Sequence, residues 1–422
     1  MILPALSTRP LDRPGVSFYA DPTHGATRLN TMVSANLRSL LADALPHTPP
    51  ATPTDHALTV LLQEADGGRI TLHPAVTALL DRLRADPELA MFHGRTQVVA
   101  GVGRGVTHVF LAEWLLRRAG AVGPDQAVTD LERYLRTERL PYRATVAVGG
   151  ITPDHAYDLG QGMQLILWKD VPNSSTKRAI DEASPFHRSF YHPDGALVRE
   201  LELQRTHIDH SETRKYLRPM DWSDMTDVLL CLGLFGPTAP VLLASWLEPP
   251  EWAPVLTGAY SMPFVEGSGA PRPFPKTAPN DASRLYSTWL ALTEGRRTEL
   301  RVPMQRLNTA MRRRSSVDSA IDLGIALESI FLGDEVDELS FRLRVRAARW
   351  LGATPDERGK VSALIRDLYV ARSKAVHRGQ VPASIKNRPT AELLEDGYRL
   401  TATALVALIR SGDPDWDAVT FR

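Results

Sequence analysis

The sequence lacks long hydrophobic runs and is almost free of cysteine. Its densest apolar run, Val228–Phe235, is less than half of the roughly 18 residues that a bilayer crossing requires. The N-terminus has no basic start followed by an apolar core, which a secretion signal needs. The single cysteine, Cys231, stands inside the apolar run and can form no disulfide within the chain. These absences predict a cytoplasmic protein that spans no membrane and has Cys231 in its core.

Net charge is also absent, because 49 basic residues balance 49 acidic ones. A balanced chain has no overall electrostatic field that would attract nucleic acid. Lysine is scarce, since only 7 of the basic residues are lysine and 42 are arginine. Alanine and proline are abundant too, so we attribute the arginine content to the base composition of the gene. Arginine richness by itself therefore predicts no phosphate-binding surface.

The chain has 422 residues, enough for two or three domains of ordinary size. Residues 1–280 mix helical and strand-like patterns, which predicts an α+β N-terminal region of one or two subdomains. Helical spacing of apolar residues predicts helices at Asn30–Leu45, Pro74–Ala85, His108–Arg118 and Asp224–Phe235. Strands are predicted between residues 144 and 204, at Ala144–Val148, Met163–Trp168 and Leu197–Gln204. The proline-rich stretch Pro249–Pro279 predicts a long loop or a domain boundary.

Residues 281–422 are helical in pattern throughout. Apolar residues at spacings of three and four run from Leu300 to Leu332, and Ser315 and Ser316 predict the start of a second helix within that stretch. Further helices are predicted at Glu335–Leu351 and Thr390–Arg410. The prediction for residues 281–422 is an all-α bundle of four or five helices.

The clearest helix start in the sequence is at Thr354. A capping box is formed by Thr354 and Glu357, with proline at the first helical position, and Gly379 is placed to end the same helix. Near that end, Arg372 and His377 are five residues apart, which puts them about 140° apart around an ideal helix. They converge only if the helix loosens at Gly379 or if two copies of the helix meet. The spacing therefore predicts a site at a helix end, near a dimer axis.

The run from Ser319 to Gly379 resembles a HEPN domain, specifically its ApeA-like branch. Three segments match that family: Ala326–Ser329 (ALES), Phe341–Ala348 (FRL and RAA) and Leu368–His377, which contains the R-x4-H signature. R-x4-H alone is a weak motif, but here it follows the ALES helix at the right separation and ends a capped helix. Upstream residues share only the general layout of the family. The resemblance implies that residues 281–422 form a HEPN helical bundle.

A HEPN domain implies a homodimeric endoribonuclease that needs no metal ion and no cofactor. Carried over by position, Arg372 and His377 are the implied catalytic pair, which would promote attack of a ribose 2′-OH on the adjacent phosphodiester. An imidazole exchanges protons near neutral pH, and a guanidinium fork fits phosphate oxygens. Residues 296–378 contain 17 basic and 11 acidic residues, a surplus that suits RNA. The family resemblance also implies a toxin in anti-phage defence or abortive infection, triggered through the N-terminal region.

Four neighbouring residues are assigned supporting roles, each with a simpler alternative. Glu328 is placed to orient His377 or Arg372, or is a surface carboxylate or part of an internal ion pair. Ser373, Lys374 and Arg378 are placed to touch the RNA, or are solvated polar residues at a helix end. Arg372 and His377 themselves also suit a helix C-terminus, where basic residues are favourable. Tyr369, one turn before Ser373, is assigned to the core.

Two other functions stay open from the sequence. One is a non-catalytic HEPN module that dimerises or binds a ligand within a defence complex, and the other is a nucleic-acid-binding regulator. Many two-gene HEPN toxins carry a tyrosine two residues after the motif histidine, as the target of a partner nucleotidyltransferase. Gly379 stands there in this chain, so we expect no control of that kind.

Two weaker patterns predict no cofactor or metal site. The glycine-rich segment 101–105 departs from a dinucleotide fingerprint because Val106 stands where its third glycine belongs, so we predict a flexible turn. Four histidines, His187, His192, His207 and His210, are spaced too loosely to predict a metal site.

Overall fold

A computed structural model describes most of the chain. The described residues are 31–49, 57–99, 102–183, 192–212, 221–236, 238–255, 260–261, 272–275, 278–333 and 338–421. They form helices and largely antiparallel sheets, with one short parallel pair of strands at residues 151–152 and 272–273, and the C-terminal region is helical, which confirms the α+β class. Within these residues, no helix has the length and hydropathy that crossing a bilayer would require.

The secondary-structure elements have the following bounds. The helices, in chain order, are α1 (Thr31–Ala44), α2 (Ala57–Asp66), α3 (Pro74–Ala85), α4 (His108–Val122), α5 (Pro124–Arg136), α6 (Ser175–Ala183), α7 (Ser223–Leu232), α8 (Ala278–Ala291), α9 (Glu294–Arg312), α10 (Ser316–Phe331), α11 (Leu339–Leu351), α12 (Pro355–Arg378), α13 (Thr390–Ser411) and α14 (Trp416–Phe421). The strands are β1 (Arg95–Val99), β2 (Val102–Val106), β3 (Arg139–Gly149), β4 (Ile151–Thr152), β5 (Tyr157–Gly160), β6 (Met163–Leu167), β7 (Gly195–Gln204), β8 (Thr206–Ile208), β9 (Val241–Glu248), β10 (Tyr260–Ser261), β11 (Arg272–Pro273), β12 (Ser384–Ile385) and β13 (Arg388–Pro389).

Each helix and strand predicted from the sequence is present at or near its predicted bounds, as far as the described residues extend. The helix predicted at Pro74–Ala85 is α3, residue for residue. The strand predicted at Met163–Trp168 ends one residue earlier, because Trp168 begins a 3-10 turn. Residues 334–337 and most of the proline-rich stretch lie outside the described residues. The helices α2, α5, α6 and α14 were not predicted.

The chain divides into two compact units. Unit 1 contains residues 1–142, 201–219 and 249–258, and unit 2 contains residues 143–200, 220–248 and 259–422. The predicted division of the chain into residues 1–280 and 281–422 stays a prediction, and its boundary falls inside unit 2.

Unit 1 contains α1 to α5 and a three-stranded antiparallel sheet in the order β2-β1-β8. The flexible turn predicted for residues 101–105 is wrong, because residues 102–106 form the edge strand β2. Gly103 pairs with Val98 and Gly105 pairs with Thr96 across the ladder. A glycine-rich segment can form an edge strand because the ladder hydrogen bonds come from the backbone and not from side chains.

Unit 2 contains a six-stranded sheet in the order β10-β9-β3-β7-β6-β5. Strand β9 pairs antiparallel with β10 and β3, and β6 pairs antiparallel with β5 and β7. Apolar side chains of the sheet and of α6 form one core cluster, in which the rings of Trp168 and Trp246 meet edge to face at 6.1 Å. Burial of these large rings stabilises the packing of the helix on the sheet.

The helices of unit 2 that follow the sheet pack around α10, which contacts α9, α12 and α13. Ser315 caps α10, as predicted, because its hydroxyl accepts a hydrogen bond from the Asp318 amide. The region from α9 onward is helical except for the short β12–β13 hairpin. The helical character predicted for residues 281–422 is confirmed, but the predicted number of four or five helices is wrong, because the described residues from 278 onward contain seven helices, α8 to α14, and this hairpin.

A buried carboxylate joins three helices of unit 2. Asp227 of α7 is 2% exposed and accepts hydrogen bonds from Trp289 Nε1 of α8 at 2.9 Å and from Arg301 Nε of α9 at 2.9 Å. One turn away, Cys231 is fully buried, which confirms its predicted place in the core. Burial raises the pKa of the Cys231 thiol, so the thiol is uncharged and packs as a small apolar residue.

A buried arginine, Arg346, helps to attach the last helix, α14, to the bundle. Arg346 of α11 is 2% exposed, and its Nη1 donates to the Phe331 carbonyl at the end of α10. Its Nε donates to Thr420 Oγ1 of α14 at 3.1 Å, and its Cζ lies 5.5 Å from the centre of the Trp416 ring. One guanidinium therefore connects α10, α11 and α14.

Candidate functional site

The site predicted from the sequence lies on α12, whose ends are fixed by the residues that the sequence indicated. At the start, the Glu357 amide donates to Thr354 Oγ1 at 3.3 Å, and the Thr354 amide donates to Glu357 Oε2 at 3.0 Å. This reciprocal pair is the predicted capping box. At the other end, Gly379 has a φ of 62°, and its amide donates to the Ala375 carbonyl. The positive φ suits glycine, which has no Cβ to clash.

The helix stays regular up to Arg378, so it does not loosen around the predicted catalytic pair. Arg372 and His377 therefore keep the angular separation of about 140° that five residues impose on an ideal helix. Convergence through a loosened helix end is wrong for this chain. Of the two routes that the spacing allowed, only the meeting of two copies of α12 stays open.

Arg372 faces the inside of the bundle and is paired with Glu328. Its Nη2 donates to Glu328 Oε2 of α10 at 3.1 Å, and the two side chains are 27% and 24% exposed. The Arg372 Nε is buried and has no hydrogen-bond partner among the described residues. Of the two roles considered for Glu328, the structure therefore shows contact with Arg372. A carboxylate that accepts from one guanidinium nitrogen fixes the plane of the group while other N–H bonds stay available.

His377 lies on a different face of the same helix and is exposed to solvent. Its ring makes no hydrogen bond or ion pair with any residue in the part of the chain that the structure describes. Val376, beside it, is an apolar residue that is 47% exposed. The end of α12 thus presents an unengaged imidazole next to an uncovered apolar residue.

Three predicted site residues remain, and they differ in exposure and in their position around α12. Ser373 lies four residues before His377 and therefore shares its helix face, and it is half-buried. Lys374 is half-buried and Arg378 is exposed, and neither forms an ion pair with the described residues. The structure consequently brings Arg372 together with Glu328, and it places Ser373 with His377.

A small pocket lies beside Arg372, which lines it together with mostly apolar residues. Leucine and isoleucine side chains from α10, α11, α12 and α13 line it, together with Tyr369. Tyr369, assigned to the core from the sequence, is half-buried. The pocket offers no second charged group, so its chemistry suits packing better than capture of a polar ligand.

The exposed side of α12 carries a further group of charges one to two turns before the site. Asp367 accepts from Arg366 Nε at 2.9 Å and lies 3.1 Å from Lys386 Nζ of the segment between β12 and β13. Burial would raise the pKa of Asp367, but the hydrogen bonds from Arg366 and Lys386 outweigh burial and hold that pKa below its usual value. This carboxylate is therefore charged at neutral pH and partly neutralises the two cations.

Sequence reasoning missed one residue of the site, Gly324 of α10. A Cβ placed on Gly324 would lie 2.5 Å from Arg372 Cγ and 3.3 Å from Arg372 Cβ, so the arginine stem crosses α10 directly over this glycine. The signal in the sequence was a lone glycine inside a strongly apolar helical stripe. Such a glycine has a packing reason more often than a functional one, and the sequence alone did not identify its neighbour.

The histidines that were considered as metal ligands have separate partners. His192 packs edge to face on Trp168, His207 Nε2 lies 3.3 Å from Tyr134 Oη, and His210 Nδ1 lies 3.2 Å from Thr96 Oγ1. His187 lies outside the described residues. Among the described residues, no group of three or more His, Cys, Asp and Glu side chains is arranged to hold a metal ion.

Comparison of the chain with protein-family models, with curated proteins and with solved structures finds no match. The resemblance to a HEPN domain therefore depends on the residues of this sequence alone. It stays a prediction, and so do the activity and the oligomeric state that it implies.

Proposed function

We propose that this chain is a metal-independent endoribonuclease of the HEPN type, with Arg372 and His377 as its catalytic pair. The observation that supports it most directly is that the two residues have different surroundings on α12. Glu328 orients Arg372 on one face, and His377 is exposed on another face without a partner among the described residues. One group is held in place and the other is free to exchange protons, which is what the proposed reaction requires of them.

In the proposed reaction a ribose 2′-OH attacks the neighbouring phosphorus, and the bond to the 5′ oxygen breaks. The products are a 2′,3′-cyclic phosphate and a free 5′-OH. His377 takes the proton of the 2′-OH as an imidazole, and the imidazolium that forms returns this proton to the leaving 5′ oxygen. The Arg372 guanidinium binds the non-bridging phosphate oxygens and stabilises the negative charge that builds up on them in the transition state.

The helix geometry leads us to propose a homodimer. A single α12 cannot direct Arg372 and His377 at one phosphate, because they point about 140° apart on a regular helix. Two copies that meet at the ends of their α12 helices would bring the arginine of one protomer to the histidine of its partner. The exposed Val376 supplies apolar surface at that meeting point.

The polar residues around the pair are proposed to hold the RNA. Ser373 shares the face of His377, and Lys374 and Arg378 form no ion pair with the described residues, so both cations are available to phosphates. Glu328 acts as a positioning residue, because it accepts a hydrogen bond from Arg372. We further propose that the chain acts in anti-phage defence in the cytoplasm, with the region before residue 281 responding to the trigger.

The test is incubation of the purified protein with a fluorescent RNA oligonucleotide in the presence of EDTA. We expect cleavage by the wild type, a 2′,3′-cyclic phosphate on the upstream product by mass spectrometry, and no cleavage of an oligonucleotide with 2′-deoxy sugars. Arg372→Ala and His377→Ala should each lower the rate by at least about 100-fold, the range that general acid–base and electrostatic groups contribute.

The matched control is Lys360→Ala on the same helix. Lys360 is 75% exposed, lies two turns into α12 at the far end from the site, and pairs only with Asp356 among the described residues. This variant should cleave RNA like the wild type. Full activity of folded Arg372→Ala or His377→Ala would contradict the assignment, and so would cleavage that requires a divalent ion.

A second candidate function is a non-catalytic HEPN module that dimerises or binds a ligand within a defence complex. The apolar pocket beside Arg372, and the pairing of that arginine with Glu328, favour it. This module would keep its cellular phenotype in both the Arg372→Ala and the His377→Ala variant, whereas a nuclease would lose toxicity in both.

A further inference from the structure

Helices α10 and α12 approach each other closely at Gly324 and Arg372. A Cβ on Gly324 would lie 2.5 Å from Arg372 Cγ and 3.4 Å from its Cδ, whereas ordinary van der Waals contact begins near the second of these distances. The atoms concerned are the beginning of the arginine side chain and not its flexible end. A methyl group at position 324 could therefore not be accommodated without moving the stem of Arg372.

Helix propensity alone disfavours glycine at position 324. Inside a helix it is less favourable than alanine by roughly 1 kcal/mol, since it loses more backbone entropy on folding. Gly324 lies in the middle of α10, four residues before Glu328, and its φ is not in the left-handed region that glycine favours. Backbone conformation thus gives no reason for glycine here, and the arginine stem does.

We propose that Gly324 is a positioning residue for Arg372. Its missing side chain leaves the groove through which the arginine stem crosses α10, and that path brings the guanidinium to Glu328, one turn further along the same helix. Gly324 and Glu328 then hold the two ends of the Arg372 side chain. The proposal rests on the proposed function for the part that Arg372 plays in RNA cleavage, but the packing relation can be tested separately.

Two other glycines of unit 2 provide matched controls. Gly359 of α12 has open space around the position of a Cβ, so alanine there changes helix propensity alone. Gly397 of α13 would place a Cβ 2.7 Å from Leu323 Cδ2 and 3.0 Å from Leu368 Cδ1, so its nearest neighbours are leucine side chains and not Arg372. The Gly397→Ala variant therefore measures how much the Tm falls when a methyl group crowds the ends of leucine side chains on the same helices.

The first experiment measures melting temperatures in two backgrounds. Gly324→Ala should lower the Tm of the wild type and leave the Tm of the Arg372→Ala variant unchanged or higher, because the clashing Cγ is gone. We expect the two effects to differ by roughly 2–4 °C or more, the shift that about 1 kcal/mol produces in domains of this size. Gly359→Ala and Gly397→Ala should each have the same effect in both backgrounds. Equal effects of Gly324→Ala in both backgrounds would overturn the proposal.

The second experiment uses RNA cleavage. Gly324→Ala should lower kcat by about 100-fold, as a displacement of 1 Å does at a catalytic group, while Gly359→Ala leaves kcat unchanged. Guanidinium ion added to Arg372→Ala should restore part of the activity, and equally in the double variant Gly324→Ala/Arg372→Ala. A weaker rescue in the double variant would show that Gly324 acts by another route and would overturn the proposal.

The two experiments separate this proposal from the proposed function. If the wild type cleaves no RNA, the nuclease assignment fails, and the melting temperatures still support or overturn the coupling of Gly324 to Arg372. If the wild type cleaves RNA and Gly324→Ala is as active as Gly359→Ala, the nuclease stands and the positioning role fails.

Discussion

Residues near each other on one helix can have opposite surroundings, and Arg372 and His377 are such a case. The arginine is anchored twice, at its stem by the groove over Gly324 and at its guanidinium by Glu328. The histidine is exposed and makes no polar contact with any described residue. This contrast suits the two proposed roles. A guanidinium that binds phosphate benefits from a fixed orientation, and an imidazole that transfers protons benefits from access to solvent and substrate.

A prediction at this scale concerns Asp367, whose pKa in the folded protein lies below its unfolded value. A lowered pKa means that the folded state favours the charged carboxylate, so Asp367 stabilises the fold above the unfolded pKa of about 3.9. That contribution is lost as the pH falls through the folded pKa. Asp367→Asn should therefore lower the Tm at pH 7, by an amount equivalent to about 1 kcal/mol, and should match the wild type at pH 2.

The measurement is the Tm of both proteins between pH 2 and pH 8. Asp43 provides the control, since it is an exposed carboxylate of α1 with no ion pair among the described residues. Asp43→Asn should leave the profile close to that of the wild type. A destabilisation by Asp367→Asn that is the same at every pH would contradict the electrostatic origin.

At the scale of elements, α12 was predictable because each of its determinants is local. The capping box needs only Thr354 and Glu357, the end needs only Gly379, and the sequence contains both at the spacing that a helix requires. Strand β2 was not predictable, since its partner in the ladder is chosen by tertiary contacts and its glycines carry no apolar alternation. The groove over Gly324 was missed for the same reason: Arg372 is 48 residues away.

The capping box leads to a second prediction. Thr354→Ala removes the hydroxyl that accepts from the Glu357 amide, and it should lower the free energy of unfolding by about 1 kcal/mol in urea titrations. Thr403→Ala is the matched control, because Thr403 is an exposed threonine in the middle of α13 whose hydroxyl donates to the Arg399 carbonyl. That control should change stability by less than about 0.5 kcal/mol. Equal effects of the two substitutions would show that the cap contributes nothing specific.

At the scale of the whole molecule, the proposed site is incomplete in one chain. We predict that the protein is a dimer by sedimentation, and that the two inactive variants complement each other when their subunits are exchanged. An Arg372→Ala protomer keeps its histidine and an His377→Ala protomer keeps its arginine, so a mixed dimer contains one intact pair formed across the interface. Equal mixing should restore roughly a quarter of wild-type activity, because half of the dimers are mixed and each has one of two pairs.

The complementation experiment can also contradict a site that is shared between two protomers. If arginine and histidine act within one protomer, every protomer in the mixture lacks one of them, and the activity stays at the level of the separate variants. A control mixture of Arg372→Ala with itself after the same exchange procedure should show no gain. A monomer with full activity would contradict the composite site altogether.

The buried guanidinium of Arg346 has a consequence for how damage spreads through the second unit. Because it donates both to Thr420 of the last helix and to the Phe331 carbonyl, the final turn of α10 depends on a segment some 90 residues later in the chain. Glu328 lies less than one turn before Phe331 on that helix. Substitutions near Trp416 can therefore affect the site without touching it. Loss of this anchor would let the end of α10 fray, and Glu328, the carboxylate that pairs with Arg372, would be displaced with it.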